Sequence, residues 1–269
     1  MSFSCHSAKL CEFAIGLLFI VTVIPVTAQD RERDEKADAV ISKAVSFLGG
    51  DKYLNVTSQL GRGRFSLIRD GAVISFQAFH DVIVFPDKER TEFKSGKTRT
   101  VQTNIGGSGW IYDGDMETIK EQTEAQIESF RRGLRVSLDN LLRGSWRKEA
   151  SLAYVGRRPS TLGRRNDVVR LTYEDGLVVE FEFAADDGAP QKAIYKRTNS
   201  EGEETVEEDR YAQFVDTGGI RSPFIIDRFT NGSHTSRINY QSVEYNGRFP
   251  DSTFAKPADL KEMKKSFKL

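Results

Sequence analysis

"GGSGWIYDGDMETIKEQTEAQIESF", residues 106–130, changes its periodicity halfway along. Trp110 and Tyr112 stand two apart between glycines, the spacing that puts two side chains on one face of a strand. After Gly114 there is no Gly or Pro until Gly133. Ile119, Ile127, Phe130, Leu134, Leu138, Leu141 and Leu142 then fall at helical spacing. The pattern predicts one broken helix or two short ones, interrupted at Gly133 and closed by Trp146. Arg131, Arg132 and Arg135 form the polar side. An amphipathic helix must bury its apolar side, and the strand before it belongs to a sheet with a face to offer. The stretch is therefore expected to be a seam, where the chain leaves a sheet and folds back over the face carrying Trp110 and Tyr112.

On both sides of this seam the chain reads as strands. In "QLGRGRFSLIRDGAVISFQAFHDVIVFPD" (59–87), Asp70-Gly71 is a favoured hairpin turn. Phe76, Val82 and Val84 share one face of the second arm, while Phe79, Ile83 and Phe85 share the other. Apolar residues on both sides of so long a strand predict a bend or bulge. "KERTEFK" and "RTVQTNI" are further strands. In "DVVRLTYEDGLVVEFEF" (167–183), Val179, Phe181 and Phe183 alternate with Val178, Glu180 and Glu182 after an Asp175-Gly176 turn, giving a half-buried hairpin. Strands "QKAIYKRT" and "TVEEDRYAQFV" follow. A last hairpin, 220–246, turns at Asn231-Gly232. There Ile238 and Tyr240 are out of phase with Val243 and Tyr245, which predicts a bulge near Gln241 or Ser242. The count is about ten or eleven strands, nearly all joined by hairpins. The class is α+β, with one large antiparallel sheet that must curl into a barrel, half-barrel or sandwich. Ahead of it, Val40, Ile41, Ala44, Val45 and Leu48 mark an amphipathic helix from Asp34 that Gly49-Gly50 ends.

The chain begins with an apolar run, "FAIGLLFIVTVIPV" (13–26), and small residues Val26 and Ala28 ahead of Gln29. This reads as a signal peptide, 1–28, cut after Ala28, and too short for a comfortable membrane span. The expected mature protein is periplasmic or otherwise exported, with no stable membrane span after cleavage. Both cysteines, Cys5 and Cys11, precede the cut, so the mature chain has no disulfide and no thiol chemistry. Thirty-nine basic and 39 acidic residues leave no net charge and no field to draw nucleic acid to the whole molecule. Local runs exist: acidic 201–209, basic 131–135 and lysine-rich 261–268. They read as solvated faces.

No motif announces catalysis. His80 and His234 stand alone, without metal-ligand spacing. "GGSGW" has Trp110 where a nucleophile elbow needs its last glycine. "SGKT" (95–98) lacks the first glycine of a phosphate loop, and Ser145–Lys148 matches S-x-x-K without supporting motifs. The expectation is no enzyme, no metal and no cofactor.

The order of parts resembles a family. A signal precedes an amphipathic helix ending "FLGGDKYLNV". Long antiparallel strands, "GWIYDG", a helical insertion and hairpins ending "GGIRSPFIIDRFTNG" follow. This resembles the periplasmic lipoprotein carriers LolA and LolB, and more nearly an exported branch described as outer-membrane lipoprotein-sorting-like. The resemblance implies that residues 29–269 form one half-open barrel domain, with helices covering a concave face and an acyl chain or other apolar ligand between them. It transfers no catalytic residue. It does not identify which arginine here would correspond to the one that ties the carrier's lid to its barrel, nor which residue to the receptor's loop-borne leucine.

By pattern, Phe76, Val82, Val84, Trp110, Tyr112, Val179, Phe181 and Phe183 are expected to line the concave face, and Leu134, Leu138 and Leu141 to close it. The first functional expectation is binding or carriage of a lipid, acylated or other apolar ligand. The alternative is a cell-envelope protein-interaction or sensor module of the same fold without a ligand, contacting envelope proteins through its charged runs.

Overall fold

The computed structural model describes residues 34–198 and 202–265; the expected signal peptide lies outside the described residues. The chain enters as helix α1 (Glu35–Leu48) and a single turn, α2 (Asp51–Leu54). Asp34 caps α1 by accepting from the Lys36 and Ala37 amides with Oδ1. Its Oδ2 accepts the Tyr154 amide at 2.6 Å, so one carboxylate serves the helix and an edge strand together. Gly49 ends the helix at φ 124°. A Cβ there would sit 2.4 Å from the Gly219 carbonyl, so the close approach itself requires glycine.

Six strands follow in meander: β1 (Ser58–Arg69), β2 (Ala72–Val84), β3 (Lys88–Ser95), β4 (Thr98–Ile105), β5 (Ser108–Asp113) and β6 (Thr118–Glu121). Helices α3 (Glu124–Val136) and α4 (Leu138–Arg143) come next. Seven more strands complete the sheet: β7 (Ala150–Pro159), β8 (Arg165–Tyr173), β9 (Val178–Ala184), β10 (Pro190–Thr198), β11 (Glu204–Thr217), β12 (Ile220–Thr230) and β13 (Ser233–Tyr245). Helix α5 (Leu260–Lys265) lies near the end. Among the described residues, no helix is long and apolar enough to cross a membrane.

Among the described residues the thirteen strands form one antiparallel sheet, ordered β6-β5-β4-β3-β2-β1-β13-β12-β11-β10-β9-β8-β7. The chain starts in the middle, meanders to one edge, crosses to the other and returns. Edges β6 and β7 do not pair, so the curved sheet stays open. The segment that crosses between the edges is α3–α4. That topology is why these helices span the concave face. The two strands beyond the sequence count are the edges: β6, which falls where helical spacing was expected from Ile119, and β7. An edge strand is short or irregular because only one neighbour holds it. β6 has four residues, and β7 carries a register shift between Tyr154 and Gly156.

The expected bulge lies at Gln241. Arg62 pairs with Ser242 and Gly63 with Tyr240, skipping one residue. This brings Ile238, Tyr240, Val243 and Tyr245 onto the same, inner face. A second shift, at Ile74, is the irregularity expected in β2.

The inner face of β8–β10 is filled by α1. Ala37, Ile41, Ala44 and Leu48 pack on Val169, Leu171, Val179, Phe181 and Ala193 in one cluster. The outer face of β2–β5 is covered by the C-terminal segment. Met263, fully buried, joins Val101, Trp110 and Tyr112. Trp110 Nε1 donates to the Phe254 carbonyl at 2.9 Å. Arg90, 1% exposed, pairs with Glu92 at 2.8 Å and donates to the Thr253 carbonyl at 2.6 Å. Trp110 and Tyr112 are thus roofed by the C-terminus, not by the helices that follow them. The seam is real, but the helices cross to the opposite face. The lysine-rich end, read from sequence as solvated, buries Met263 while Lys264 and Lys265 stay outside.

Candidate ligand-binding cavity

The lid is built by capping. Thr123 and Gln126 form a capping box that starts α3. Ser137 ends it: its hydroxyl donates to the Leu134 carbonyl at 2.7 Å and accepts the Asn140 amide at 3.1 Å, so one side chain closes α3 and opens α4. The break falls there and not at Gly133, which sits inside α3. A glycine weakens a helix, whereas a hydroxyl offering both caps ends one and begins another.

Polar side chains tether the lid at two places. Arg135 makes a two-bond pair with Asp175 in the β8–β9 turn, at 2.7 and 2.8 Å. The Tyr173 hydroxyl donates to the Arg135 carbonyl at 2.7 Å. On the other side Arg143 pairs with Asp139 at 2.8 Å and donates to the Val56 carbonyl at 3.0 Å. Its guanidinium lies 4.0 Å from the Phe85 ring centre and 4.7 Å from that of Tyr53. The Tyr53 hydroxyl donates to Asp139 at 2.8 Å.

Between lid and sheet is a cavity of about 520 Å³. Its roof is Val136, Leu138, Asp139 and Arg143. Its floor comes from both halves of the sheet: Asp81, Ile83 and Glu89 from β2 and β3, Tyr211 and Asp209 from β11, Ile226 and Arg228 from β12, and Ile238, Tyr240 and Val243 from β13. Gly61 matters to this floor, because a Cβ there would lie 2.5 Å from the Tyr240 ring. That ring instead lies against β1 and meets Phe79 edge-on, with centres 5.4 Å apart. A second cavity of about 600 Å³ lies between the lid and the β2–β3 turn, walled by Phe85, Pro86, Phe130 and Leu134. Ile83, Glu89, Asp139, Arg143 and Arg228 border both. Each volume is within the ~300–1,000 Å³ of small-molecule sites.

The floor is not uniformly apolar. Burial pushes the Asp81 carboxyl up to about 6, against a hydrogen bond from the Thr91 hydroxyl at 2.7 Å that favours the ion. Glu89 is pushed up to about 8, first by burial and then by the charge of Asp81, with Arg228 opposing. Asp209 is raised by burial and partly restored by Arg228, 3.6 Å away. Burial also raises Tyr240 and lifts Tyr195 to about 12, so both phenols are neutral.

The pattern-chosen residues divide three ways. Leu138 lines the first cavity and Leu134 the second. Val179, Phe181 and Phe183 are on the inner face but packed in the α1 core, and Leu141, 1% exposed, packs in the same core. Val82, Val84, Trp110 and Tyr112 point to the outer face, and Phe76, on the same side of β2, is 57% exposed near the β1–β2 hairpin tip. In β2 both faces carry apolar residues, and the choice between them turned on a parity that periodicity alone leaves open. Ile83, with Asp81 and Glu89, is the inward set. The carboxylates were the available signal, but a charged residue on an alternating strand reads first as a wet face. Ile226, Tyr211 and Arg143 had no sequence signal of their own.

A curved, open antiparallel sheet with a helical lid over a cavity is the architecture of the LolA-like fold, and comparison with solved structures places this chain in it. Neither a protein-family model nor a curated protein sequence matches the chain. A DUF1329 family protein from Desulfovibrio piger aligns with a TM-score of 0.58 at 14% identity, over 83% of this chain and 98% of that one. A LolA superfamily protein from Nitrosomonas europaea gives 0.55 at 14% identity, over 82% and 97%. A putative outer membrane lipoprotein-sorting protein domain from Vibrio parahaemolyticus gives 0.55 at 10% identity, also over 82% and 97%.

Proposed function

We propose that this protein is an exported, non-enzymatic binding or carrier protein for a lipid, an acylated molecule or another apolar ligand, held between the curved sheet and α3–α4. The reading takes residues 1–28 as a cleaved leader and residues 29–269 as one domain working in the periplasm or an equivalent space. The observation that carries it is the cavity of about 520 Å³ under a lid that is not part of the sheet. Lifting α3–α4 breaks two sets of polar tethers and some apolar contact, and leaves every strand pairing intact. At about 25 cal/mol per Å² of apolar surface, an entering chain of methylenes replaces the contact that the lid gives up. The lipoprotein-sorting description of one structural neighbour is in keeping with such cargo.

The test is saturable binding. Delipidated mature protein is titrated with a neutral, environment-sensitive apolar dye, and Ile226→Trp is titrated beside it to fill the floor. One saturable site, weakened at least tenfold by the tryptophan, is expected. Absence of saturable binding refutes the reading, and a pull-down that returns an envelope protein but no small apolar molecule would favour an interaction module instead.

A further inference from the structure

The cavity has a polar demand that the protein does not meet, and that demand describes a ligand. Asp81 and Glu89 lie on adjacent strands, with Asp81 opposite Thr91 and Glu89 opposite Ile83, so the two carboxylates are diagonal neighbours on one face. Both border the cavity, and Asp81 is 7% exposed. Among the described residues neither forms an ion pair. Arg228, whose charge acts on Glu89, is engaged with Asp209 at 3.6 Å. Arg143 is held by Asp139. Two hydroxyls of the same wall, Ser222 Oγ and Tyr245 Oη, are buried and adjoin without a well-formed hydrogen bond.

A buried carboxylate beside a half-buried one is a costly arrangement where Ile83, Ile226, Ile238, Val243 and Leu138 share the wall, even though charged side chains such as Asp209, Arg221 and Arg228 line it too. Burial raises the proton affinity of both, and the charge of Asp81 raises that of Glu89 further, so a positive charge placed between them would be favoured. A purely apolar guest would deepen the problem, since it removes the water that still reaches Glu89. An anionic guest would set a further negative charge against Asp81. A cationic guest relieves the burial cost and the repulsion together.

Resting on the carrier reading above, we propose that the cavity takes a ligand with an apolar body and one positively charged amine, the amine seated on Asp81 and Glu89 and the apolar body between Leu138 and the Ile226–Ile238–Val243 floor. The carboxylates set the class of cargo and the lid sets its apolar length. Arg132 and Arg197, half-buried and exposed members of the same wall, remain open to water and are screened by it.

Three ligands with the same ten-carbon chain test this: decylamine (cationic at pH 7.5), decanol and decanoate, each below its aggregation limit and each displacing the neutral dye from the mature chain. Decylamine is expected to displace the dye at a concentration at least tenfold below decanol, and decanoate to be the weakest. In Asp81→Asn/Glu89→Gln the spread among the three should collapse. That variant removes charges the fold disfavours, so loss of folding is not the expected outcome, and its thermal transition verifies this. Decanoate binding as tightly as decylamine, or a cation preference that survives in the variant, overturns the inference and leaves the carrier reading standing. Failure of the dye itself to bind saturably removes both.

Discussion

The Asp81–Glu89 pair makes stability itself depend on pH, in a direction opposite to ordinary salt-bridged carboxylates. In the folded protein Asp81 is raised from 3.8 to about 6 and Glu89 from 4.5 to about 8. A carboxyl with a raised folded value holds its proton while the unfolded chain loses its own. Its contribution is therefore complete below about pH 4 and is lost as pH climbs through the folded value. Each tenfold change in proton affinity is worth ~1.4 kcal/mol, so Asp81 loses about that much between pH 5 and pH 6. Glu89 carries the loss on toward pH 8. Part of its rise comes from the charge of Asp81, and water reaches it, so about 1–2 kcal/mol is retained. Together they make ~3 kcal/mol, or roughly 6–12 °C in Tm for a chain of this size. Carboxylates held low, such as Asp175 at about 2 beside Arg135, stay ionised in both states over this range and add no slope. Differential scanning calorimetry at pH 5, 6, 7 and 8 should show the wild type falling steadily. Asp81→Asn/Glu89→Gln should be nearly flat and more stable than wild type at pH 8. A wild-type Tm that is level or rising across this range, or equal slopes in the two proteins, would refute the argument that these carboxylates are desolvated against each other.

Four further outcomes follow from the packing. Arg90→Met removes a buried cation from Glu92 and from the Thr253 carbonyl, and should cost about 3 kcal/mol by urea denaturation. Met263→Ala should loosen the C-terminal roof, seen as a red shift of Trp110 fluorescence in a Trp146→Phe background, with a local cost of ~2 kcal/mol or more. Arg143→Gln frees one end of the lid, so amide exchange should speed up across 124–143 while β8 and β9 stay protected. Phe76→Ser, at an exposed position, should change stability by less than about 0.5 kcal/mol, and a larger loss would mean that the hairpin tip is covered in solution.

Much of the architecture was legible because local rules and the global fold agreed. Alternation in 167–183, Asp-Gly and Asn-Gly turns, and the phase slip between Tyr240 and Val243 each report a strand, a hairpin or a bulge through neighbours in sequence. The i, i+3, i+4 pattern of 34–48 likewise reports α1. Those features depend on which way a side chain points relative to the next, and the sequence contains that. It also supplied the charge balance and the placing of both cysteines, Cys5 and Cys11, ahead of the apolar run 13–26.

What only the tertiary structure decided is which face of each strand became the inside. β2 is apolar on both sides, and nothing local says that Ile83 looks into a cavity while Val82, opposite Arg90, is buried on the outer face. That choice belongs to chain segments far away: α1 claimed one half of the inner face, α3–α4 bridged the two sheet edges over the other, and residues 250–265 sealed the outside. Asp81 and Glu89 became a site for the same reason, since a carboxylate acquires its character from what removes its water. Burial is a property of the assembled molecule, and periodicity records only the alternation that burial then uses.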